Sequence, residues 1–201
     1  MIDFGELSGL VGGDMSMDRL HCEWVLSVLR VLEPRCVIEI GCHMGVSTTA
    51  IVQAYDEGCV DELHLIDVNL CPSVRALARP RVTFHERPSV EALPEIRPGG
   101  DLVVVVDGDH SLSCVQQELP LVLEKMPMAI IAHDVTAEAA GYQQCDGARW
   151  LWEELQGRGW YCYVDCRRRP NAKTHRGLLV ACRDFLGGVA VREAWANTCN
   201  L

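Results

Sequence analysis

Residues 36–55, CVIEIGCHMGVSTTAIVQAY, change character in the middle, and this change decides the fold. The first five residues are a short apolar run typical of a buried strand, and a helix is predicted after Gly45. Between them lies a turn bounded by Gly41 and Gly45, whose lack of a side chain lets the backbone bend sharply and a ligand approach it closely. The carboxylate of Glu39 comes just before this turn. The stretch therefore predicts a strand–turn–helix unit with a ligand site at the turn.

The rest of the chain continues the alternation of strands and helices. This order indicates an α/β protein with a Rossmann-like open, mainly parallel twisted sheet and helices on both faces. The last two strands have only a loop between them, which predicts an antiparallel C-terminal edge. Further strands are predicted at 62–67, 81–86, 101–107, 128–134, 160–166 and 177–183.

A chain of 201 residues, of which 49% are hydrophobic, predicts a single domain with one sizeable core. Residues 1–33 are expected to form an N-terminal lid and a helix, since Leu20, Trp24, Val28 and Leu32 recur at helical spacing. Residues 36–185 are expected to form the ligand-binding core, and residues 186–201 a C-terminal tail.

The formal net charge of −10 makes a nucleic acid an improbable partner, because an acidic surface repels phosphate backbones. The eleven cysteines include no CxxC pair and are interpreted as reduced core residues of a cytoplasmic protein. The N-terminus is unlike a signal peptide, and the chain has no apolar run long enough to cross a membrane. The oligomeric state stays open, with a homodimer among the alternatives.

The turn itself argues against a dinucleotide. Dinucleotide enzymes use G-x-G-x-x-G, whose glycines let a pyrophosphate reach the helix N-terminus. Here the turn reads GCHMG, with bulky residues at those positions, and Glu39 would repel a pyrophosphate. An acid at this place suits a cationic or hydrogen-donating ligand instead. A nicotinamide-dependent oxidoreductase therefore remains only as an alternative.

Polar residues follow the other predicted strands at the same edge of the sheet. Asp67 ends the second strand, where a carboxylate can accept hydrogen bonds from both hydroxyls of a ribose. Ser89 follows the third strand and is either a ligand contact or a helix N-cap.

The fourth and fifth strands bring several titratable residues to this edge. The very apolar fourth strand ends in DGDHS, which supplies Asp107, Asp109 and His110, and the fifth ends in His133 and Asp134. Burying carboxylates together is costly unless a positive or donating group lies between them. We therefore expect a functional cluster here.

Together these motifs resemble S-adenosylmethionine-dependent class I methyltransferases. E-x-G-x-x-x-G-x-S over Glu39 to Ser47 is similar to their first motif, and DGDHS with the later HD resembles a bacterial O-methyltransferase branch related to catechol- and macrolide-type metal-dependent enzymes. The resemblance covers about residues 36–155 and implies an S-adenosylmethionine site, with a small-molecule hydroxyl as the methyl acceptor. It implies cofactor contacts at Glu39, Gly41, His43, Gly45, Ser47, Asp67, Ser89 and Asp107.

The resemblance implies a Mg²⁺ ion on Asp107 and Asp134. The cluster of titratable residues itself indicates catalytic roles for Asp107, Asp109, His110 and His133. One residue departs from the family pattern, because His133 stands where an oxygen ligand is usual and hard cations prefer oxygen. Two ways to remove the acceptor's proton stay open, namely a metal-bound hydroxyl or a histidine acting as general base. A non-catalytic cofactor-binding member of the same fold is the remaining alternative.

Overall fold

The computed structural model describes residues 2–11, 16–136, 145–166 and 176–198. Within them, seven strands form one sheet: β1 (Cys36–Ile40), β2 (Glu62–Asp67), β3 (Val82–Glu86), β4 (Leu102–Val106), β5 (Ala129–His133), β6 (Tyr161–Asp165) and β7 (Leu178–Cys182). The helices are α1 (Arg19–Leu32), α2 (Val46–Asp56), α3 (Pro72–Arg75), α4 (Ser89–Ala92), α5 (Leu112–Leu123), α6 (Asp146–Gly157) and α7 (Phe185–Thr198), with 3₁₀ turns at Gly5–Gly9 and Leu93–Glu95.

The strand order is β3-β2-β1-β4-β5-β7-β6. The five strands β1 to β5 pair in parallel, whereas β7 pairs antiparallel with both β5 and β6. The predicted mainly parallel sheet with an antiparallel C-terminal edge is confirmed. The order reverses between β1 and β4, and ligands of open α/β sheets bind beyond the carboxyl ends of the strands at such a point. The fold therefore places the glycine turn after β1 beside the end of β4.

Both faces of the sheet are covered, which explains why the central strands are apolar throughout. Successive side chains of a strand point to opposite faces. In β1 this sends Val37 to the face covered by α1 and α2, and Ile38 to the other face. In β4 all five residues are buried, as the sequence predicted for a strand covered on both sides.

The end of the chain corrects one expectation. Residues 186–201 were expected as a tail, but Phe185–Thr198 form the helix α7, which packs on α1. The rings of Trp24 and Trp195 lie 4.3 Å apart between these helices, and Val191 is fully buried in the same core. The glycine pair early in α7 hid this helix from sequence reasoning, because glycine lowers helix propensity and tertiary packing overrides it here.

The N-terminal segment contains the predicted helix, α1, and its role as a lid stays a prediction. Ile2 and Phe4 are buried in the core beside α1, and the guanidinium of Arg19 lies 4.9 Å from the centre of the Phe4 ring. The first residues are therefore part of the fold. The sequence also offers the loop 135–148, which includes Tyr142, as a lid and the arginines at 167–169 as a site for an anionic substrate; residues 137–144 and 167–169 lie outside the described residues.

No helix in the described part of the chain is long and apolar enough to cross a membrane.

Candidate active site

A cavity of about 1230 Å³ opens at the carboxyl edge of the sheet. Ligand pockets for drug-sized molecules commonly measure about 300–1,000 Å³, so this cavity has room for a cofactor and a second small molecule. Its wall comes from the segments that the sequence singled out, together with residues of α5 and Arg176. The predicted site residues that line it are Gly41, His43, Ser47, Asp67, Ser89, Asp107, Asp109, His110 and Asp134.

The glycine turn depends on two backbone conformations that disfavour side chains. Gly41 has φ 86° and Gly45 has φ 93°, both in the left-handed region. A Cβ added to Gly41 would lie less than 3.0 Å from the backbone of Asp107 and Gly108. Gly41 therefore lets the turn after β1 lie directly against the chain leaving β4, which brings the two motifs together.

Glu39 does not line the cavity. Its carboxylate is fully buried beneath the turn, where Ser47 Oγ and Thr48 Oγ1 donate hydrogen bonds to it over 2.6 and 2.7 Å. Burial raises the pKa of Glu39 to about 7, although the two hydroxyls act in the opposite direction. In this structure Glu39 holds the first turn of α2 in place behind the cavity wall, and Thr48 is a partner that the sequence motif did not indicate.

Asp67 lies at the cavity wall and supports the turn. Its Oδ2 accepts hydrogen bonds from the backbone N–H groups of Cys42 and His43, each over 2.9 Å, and its Oδ1 accepts one from Asn69. A carboxylate offers about four lone-pair positions, so about one of them stays open. Asp67 therefore has capacity for one further hydroxyl, whereas the sequence had predicted contacts with both hydroxyls of a diol.

Ser89 begins α4, and the structure gives its hydroxyl a partner that the sequence did not suggest. Its Oγ donates a short hydrogen bond to Glu118 Oε1 on α5. Glu118 is 3% exposed, and burial raises the pKa of its carboxyl group despite the hydrogen bond from Ser89. Ser89 makes no side-chain N-cap, because the residue at the N-cap of α4 is Pro88. This contact connects the loop after β3 to α5 at the cavity wall.

The predicted aspartates and histidines after β4 and β5 do come together. His133 Nδ1 lies 3.0 Å from Asp107 Oδ1 and 3.5 Å from Asp134 Oδ1. His110 Nε2 lies 3.5 Å from Asp107 Oδ1 and 3.4 Å from Asp134 Oδ2, so both rings bridge the same two carboxylates. Arg176 adds a positive charge 3.6 Å from Asp134. We call these five residues the catalytic cluster, after the role that we propose for them.

Only part of the catalytic cluster faces the cavity. Asp107, His110, Asp134 and Arg176 line it, whereas His133 is 1% exposed and lies behind Asp107. Asp109 also lines the cavity, but its Oδ1 accepts a hydrogen bond from the backbone of Ser111, just ahead of α5. His133 is therefore placed to hold Asp107 rather than to touch a ligand.

The charges in the catalytic cluster are strongly coupled. Burial alone would lower the pKa of His133, but Asp107 and Asp134 outweigh it and raise this pKa to about 9. Burial alone would raise the pKa of Asp107, but His133 and His110 hold it below its usual range. At neutral pH the pair is therefore a buried imidazolium and a carboxylate.

A second buried layer, which sequence reasoning missed, lies beneath His133. The ring of His21 on α1 meets the ring of His133 edge-on, with centroids 5.5 Å apart. His21 Nε2 lies 3.2 Å from Asp165 Oδ2 in β6, and both side chains are about 1% exposed. Burial lowers the pKa of His21, although Asp165 and Asp18 oppose that shift. A lone aspartate in the apolar strand β6 was the one available sequence signal, since buried charges are paired.

Gly147 in α6 is a further residue of the site that sequence reasoning missed. Its N–H donates to the carbonyl oxygen of His110 over 2.9 Å. A Cβ at this position would lie 2.5 Å from the carbonyl oxygen of Ser111 and 2.7 Å from that of His110. The glycine therefore allows α6 to pack against the backbone that carries His110.

The donor set around Asp107 and Asp134 does not match the predicted Mg²⁺ site. Asp107 Oδ1 faces His133 and His110, Asp134 Oδ2 faces His110, and Asp134 Oδ1 faces Arg176 and His133. Magnesium requires a near-octahedral shell of oxygen ligands, and these carboxylate oxygens instead neutralise basic nitrogens. The role of the two aspartates that this arrangement supports is to orient both histidine rings and to keep His133 protonated.

The strand order and the helices around the sheet are those of a Rossmann-like fold, and comparison with known proteins relates this fold to methyltransferases. Residues 38–135 match the sequence profile of a methyltransferase domain family. The match covers just under half of the chain, 98 of its 201 residues, and it confirms the resemblance inferred from the motifs.

Solved structures with the same fold share little sequence with this chain. The O-methyltransferase from Bacillus cereus in complex with SAH is 14% identical, with a TM-score of 0.65 over 85% of this chain and 84% of that one. The O-methyltransferase TomG from Streptomyces achromogenes, involved in tomaymycin synthesis and solved with SAM, is 19% identical, with a TM-score of 0.63 over 85% and 82%. An rRNA methylase from Streptococcus thermophilus is 8% identical, with a TM-score of 0.58 over 81% and 95%.

No curated protein matched this chain in sequence. At these identities the structural neighbours show the fold alone, and they include proteins named for different acceptors. The acceptor must therefore be argued from the site.

Proposed function

We propose that this protein is an S-adenosylmethionine-dependent methyltransferase that methylates a hydroxyl group of a small molecule. The observation that carries the proposal is the position of His110, which lines the cavity beside the glycine turn while its Nε2 faces two carboxylates. S-adenosylmethionine supplies a methyl group on a positively charged sulfur and has no phosphate, which suits a turn that lacks the G-x-G-x-x-G glycines. The structures of TomG with SAM and of the Bacillus cereus enzyme with SAH support this choice of cofactor.

Residues from three segments of the chain contribute to the binding of the cofactor in different ways. The turn from Gly41 to Gly45 lets a ligand approach the backbone, and Asp67 keeps the N–H groups of Cys42 and His43 in place. One open lone-pair position on Asp67 fits one ribose hydroxyl. Ser89 and Glu118 form the opposite wall, where the adenine would lie.

His110 is the residue we assign as general base. Because its Nε2 faces Asp107 and Asp134, the tautomer with the proton on Nε2 is favoured, and Nδ1 is then the atom that accepts the acceptor's proton. General base catalysis of this kind contributes about 10²–10⁴-fold to a rate. Holding the acceptor oxygen in line with the methyl group supplies further lowering of the barrier.

His133 acts through Asp107 as a positioning residue. The charged ring keeps Asp107 ionised, so Asp107 can stabilise the imidazolium that forms when His110 takes up a proton. Arg176 places a positive charge 3.6 Å from the other carboxylate, that of Asp134. The acidic cavity wall also suits a cationic sulfonium. A nucleic-acid acceptor is disfavoured by the net charge of −10.

Calorimetry with S-adenosylhomocysteine, S-adenosylmethionine and NADH tests the cofactor assignment. We expect saturable binding of both sulfur compounds and none of NADH, with a rise of the unfolding midpoint on S-adenosylhomocysteine by mass action. Binding of NADH alone would overturn the proposal in favour of an oxidoreductase. Binding of the sulfur compounds without turnover of any hydroxyl compound in a broad acceptor panel would favour a non-catalytic protein.

Removal of divalent metals separates the two routes for proton removal. With an acceptor in hand, we expect methyl transfer to continue in excess chelator, because the carboxylates of the catalytic cluster face basic nitrogens. Activity that is lost in chelator and restored by Mg²⁺ would show instead that a metal-bound hydroxyl is the nucleophile.

A further inference from the structure

The amino-terminal edge of the sheet, opposite the cavity, carries a second group of polar side chains. Cys36 is the first residue of β1 and is paired in register with Glu62, the first residue of β2. His64 lies two residues further along β2 and therefore on the same face as Glu62. One ligand atom from each of the three residues lies within 4.8 Å of the others.

The orientation of His64 directs one of its ring nitrogens toward the other residues of this group. His64 Nδ1 lies 3.0 Å from His85 Nε2 on β3, so its other nitrogen, Nε2, points elsewhere. Nε2 is buried without a hydrogen-bond partner, in a residue that is 8% exposed, and lies 3.4 Å from Glu62 Oε1. A buried polar atom that lacks a hydrogen bond is costly, and a bound cation would satisfy this one.

The spacing and the donor types point to zinc. Tetrahedral zinc ligands at roughly 2.0–2.3 Å from the ion lie about 3.3–3.8 Å apart. The distance of 3.4 Å between His64 Nε2 and Glu62 Oε1 is already in this range, and the remaining atoms require a shift of about 1 Å at most. A thiolate, an imidazole and a carboxylate form a mixed set that suits Zn²⁺ and does not suit Mg²⁺ or Ca²⁺.

We propose that Cys36, Glu62 and His64 bind a zinc ion that joins the amino-terminal ends of β1 and β2. His85 acts as the outer partner that accepts the Nδ1 proton of His64 and so fixes the tautomer in which Nε2 can coordinate metal. Three protein ligands leave a fourth position for water. The site is independent of the cavity and of the proposed methyl transfer.

The surroundings define how the ion enters. The side chain of Glu62 is 27% exposed, so the solvent route runs past this residue, while Cys36 is fully buried. Arg81 lies 3.7 Å from Glu62 Oε2, which leaves Oε1 as the coordinating atom. The Cys36 thiol must lose its proton to the solvent when the ion binds, because zinc is bound by the thiolate.

Cobalt(II) titration of the metal-stripped protein tests the site, because a cobalt–thiolate bond gives a near-ultraviolet charge-transfer band. We expect this band together with the visible bands of a four-coordinate ion, and we expect Zn²⁺ to abolish both by displacement. Cys36→Ser should remove the charge-transfer band. The matched control is Cys182→Ser, an equally buried strand cysteine on the opposite face of the sheet, which should keep it.

Two further variants test the zinc site even if Cys36→Ser does not fold. Glu62→Gln changes a partly exposed side chain, so it should fold even where Cys36→Ser does not, and it should weaken cobalt affinity about tenfold or more. Asp107→Asn, which alters the catalytic cluster, should leave the band unchanged. Absence of the band in the unaltered protein, its persistence in Cys36→Ser, or unchanged affinity in Glu62→Gln would overturn the proposal.

Discussion

The glycine turn and the catalytic cluster lie side by side in the cavity but are built in different ways. The turn comes from one continuous stretch, Glu39 to Thr48, and its shape follows from two glycines with positive φ and from backbone hydrogen bonds to Asp67. The catalytic cluster is assembled from side chains after β4, at the end of β5 and before β7, with His21 of α1 beneath it. The local backbone conformation determines the shape of the glycine turn, whereas contacts between distant segments determine the arrangement of the catalytic cluster.

Because the two parts are built differently, substitutions in each should impair a different step of the reaction. A change in the turn alters the backbone and should affect cofactor binding, whereas a change in the catalytic cluster alters charge and should affect the chemical step. The two parts meet where Gly41 lies against the backbone of Asp107 and Gly108. Variants that affect one part and spare the other test this division.

His110→Ala should have the largest effect. Without the general base we expect the rate constant kcat for methyl transfer to fall about 10²–10⁴-fold. The dissociation constant for S-adenosylhomocysteine should change little, because the turn is intact. Steady-state kinetics and calorimetry on the same preparation check both values. A large loss of cofactor affinity with normal kcat would contradict the separation of the two parts.

Gly41→Ala should damage both parts at once. The new Cβ would meet backbone atoms that cannot move aside, so we expect a loss of roughly 2–4 kcal/mol in the free energy of unfolding and loss of cofactor binding. Gly58→Ala is the matched control, since Gly58 also has a positive φ, of 81°, but has open space around it. That control should lose only about 1–2 kcal/mol from backbone strain. Urea unfolding of both variants measures the steric contribution; equal losses would show that Gly41 makes no close approach.

Gly147→Ala tests whether α6 positions the catalytic cluster, because it leaves the glycine turn unchanged. The added methyl group would press on the carbonyl oxygens of His110 and Ser111, so we expect reduced kcat with near-normal cofactor affinity and a loss of about 1–3 kcal/mol in stability. Gly157→Ala lies in the same helix with open space and should stabilise by about 0.5–1 kcal/mol at most. If both variants behave alike, α6 does not position His110.

The last expected effect is on stability alone, as a dependence of the free energy of unfolding on pH. The pKa of His133 is raised in the folded protein, from 6.5 to about 9, so its contribution to stability is complete below about pH 6.5 and is lost as the pH rises through 9. Asp107 has a lowered pKa, so its contribution is present above its usual value and is lost as the pH falls through the lowered one. Urea unfolding between pH 6.5 and 9.5 should show a decline that His133→Asn reduces. An equal decline in the variant would show that the pair is not coupled as described.

Much of the fold could be predicted from the sequence, because hydrophobic periodicity and glycine positions are local properties. The strands β1 to β7 fall within their predicted segments. Helix α7 could not be predicted, since its stability comes from packing on α1 rather than from its own composition.

The sequence by itself determined which residues gather at the carboxyl edge of the sheet, because parallel strands deliver their following residues to one edge. It determined that Asp67 ends the second strand and that Asp107 and Asp134 follow the fourth and fifth. It did not determine the order of the strands across the sheet or the direction in which each side chain points. Only the tertiary structure decided that Glu39 turns inward to Ser47 and Thr48, that His133 is buried behind Asp107, and that His21 and Asp165 support it. Hydrophobic periodicity is local and shows where each strand begins and ends along the chain, whereas the partners of a buried charge are set by contacts between segments far apart in the chain.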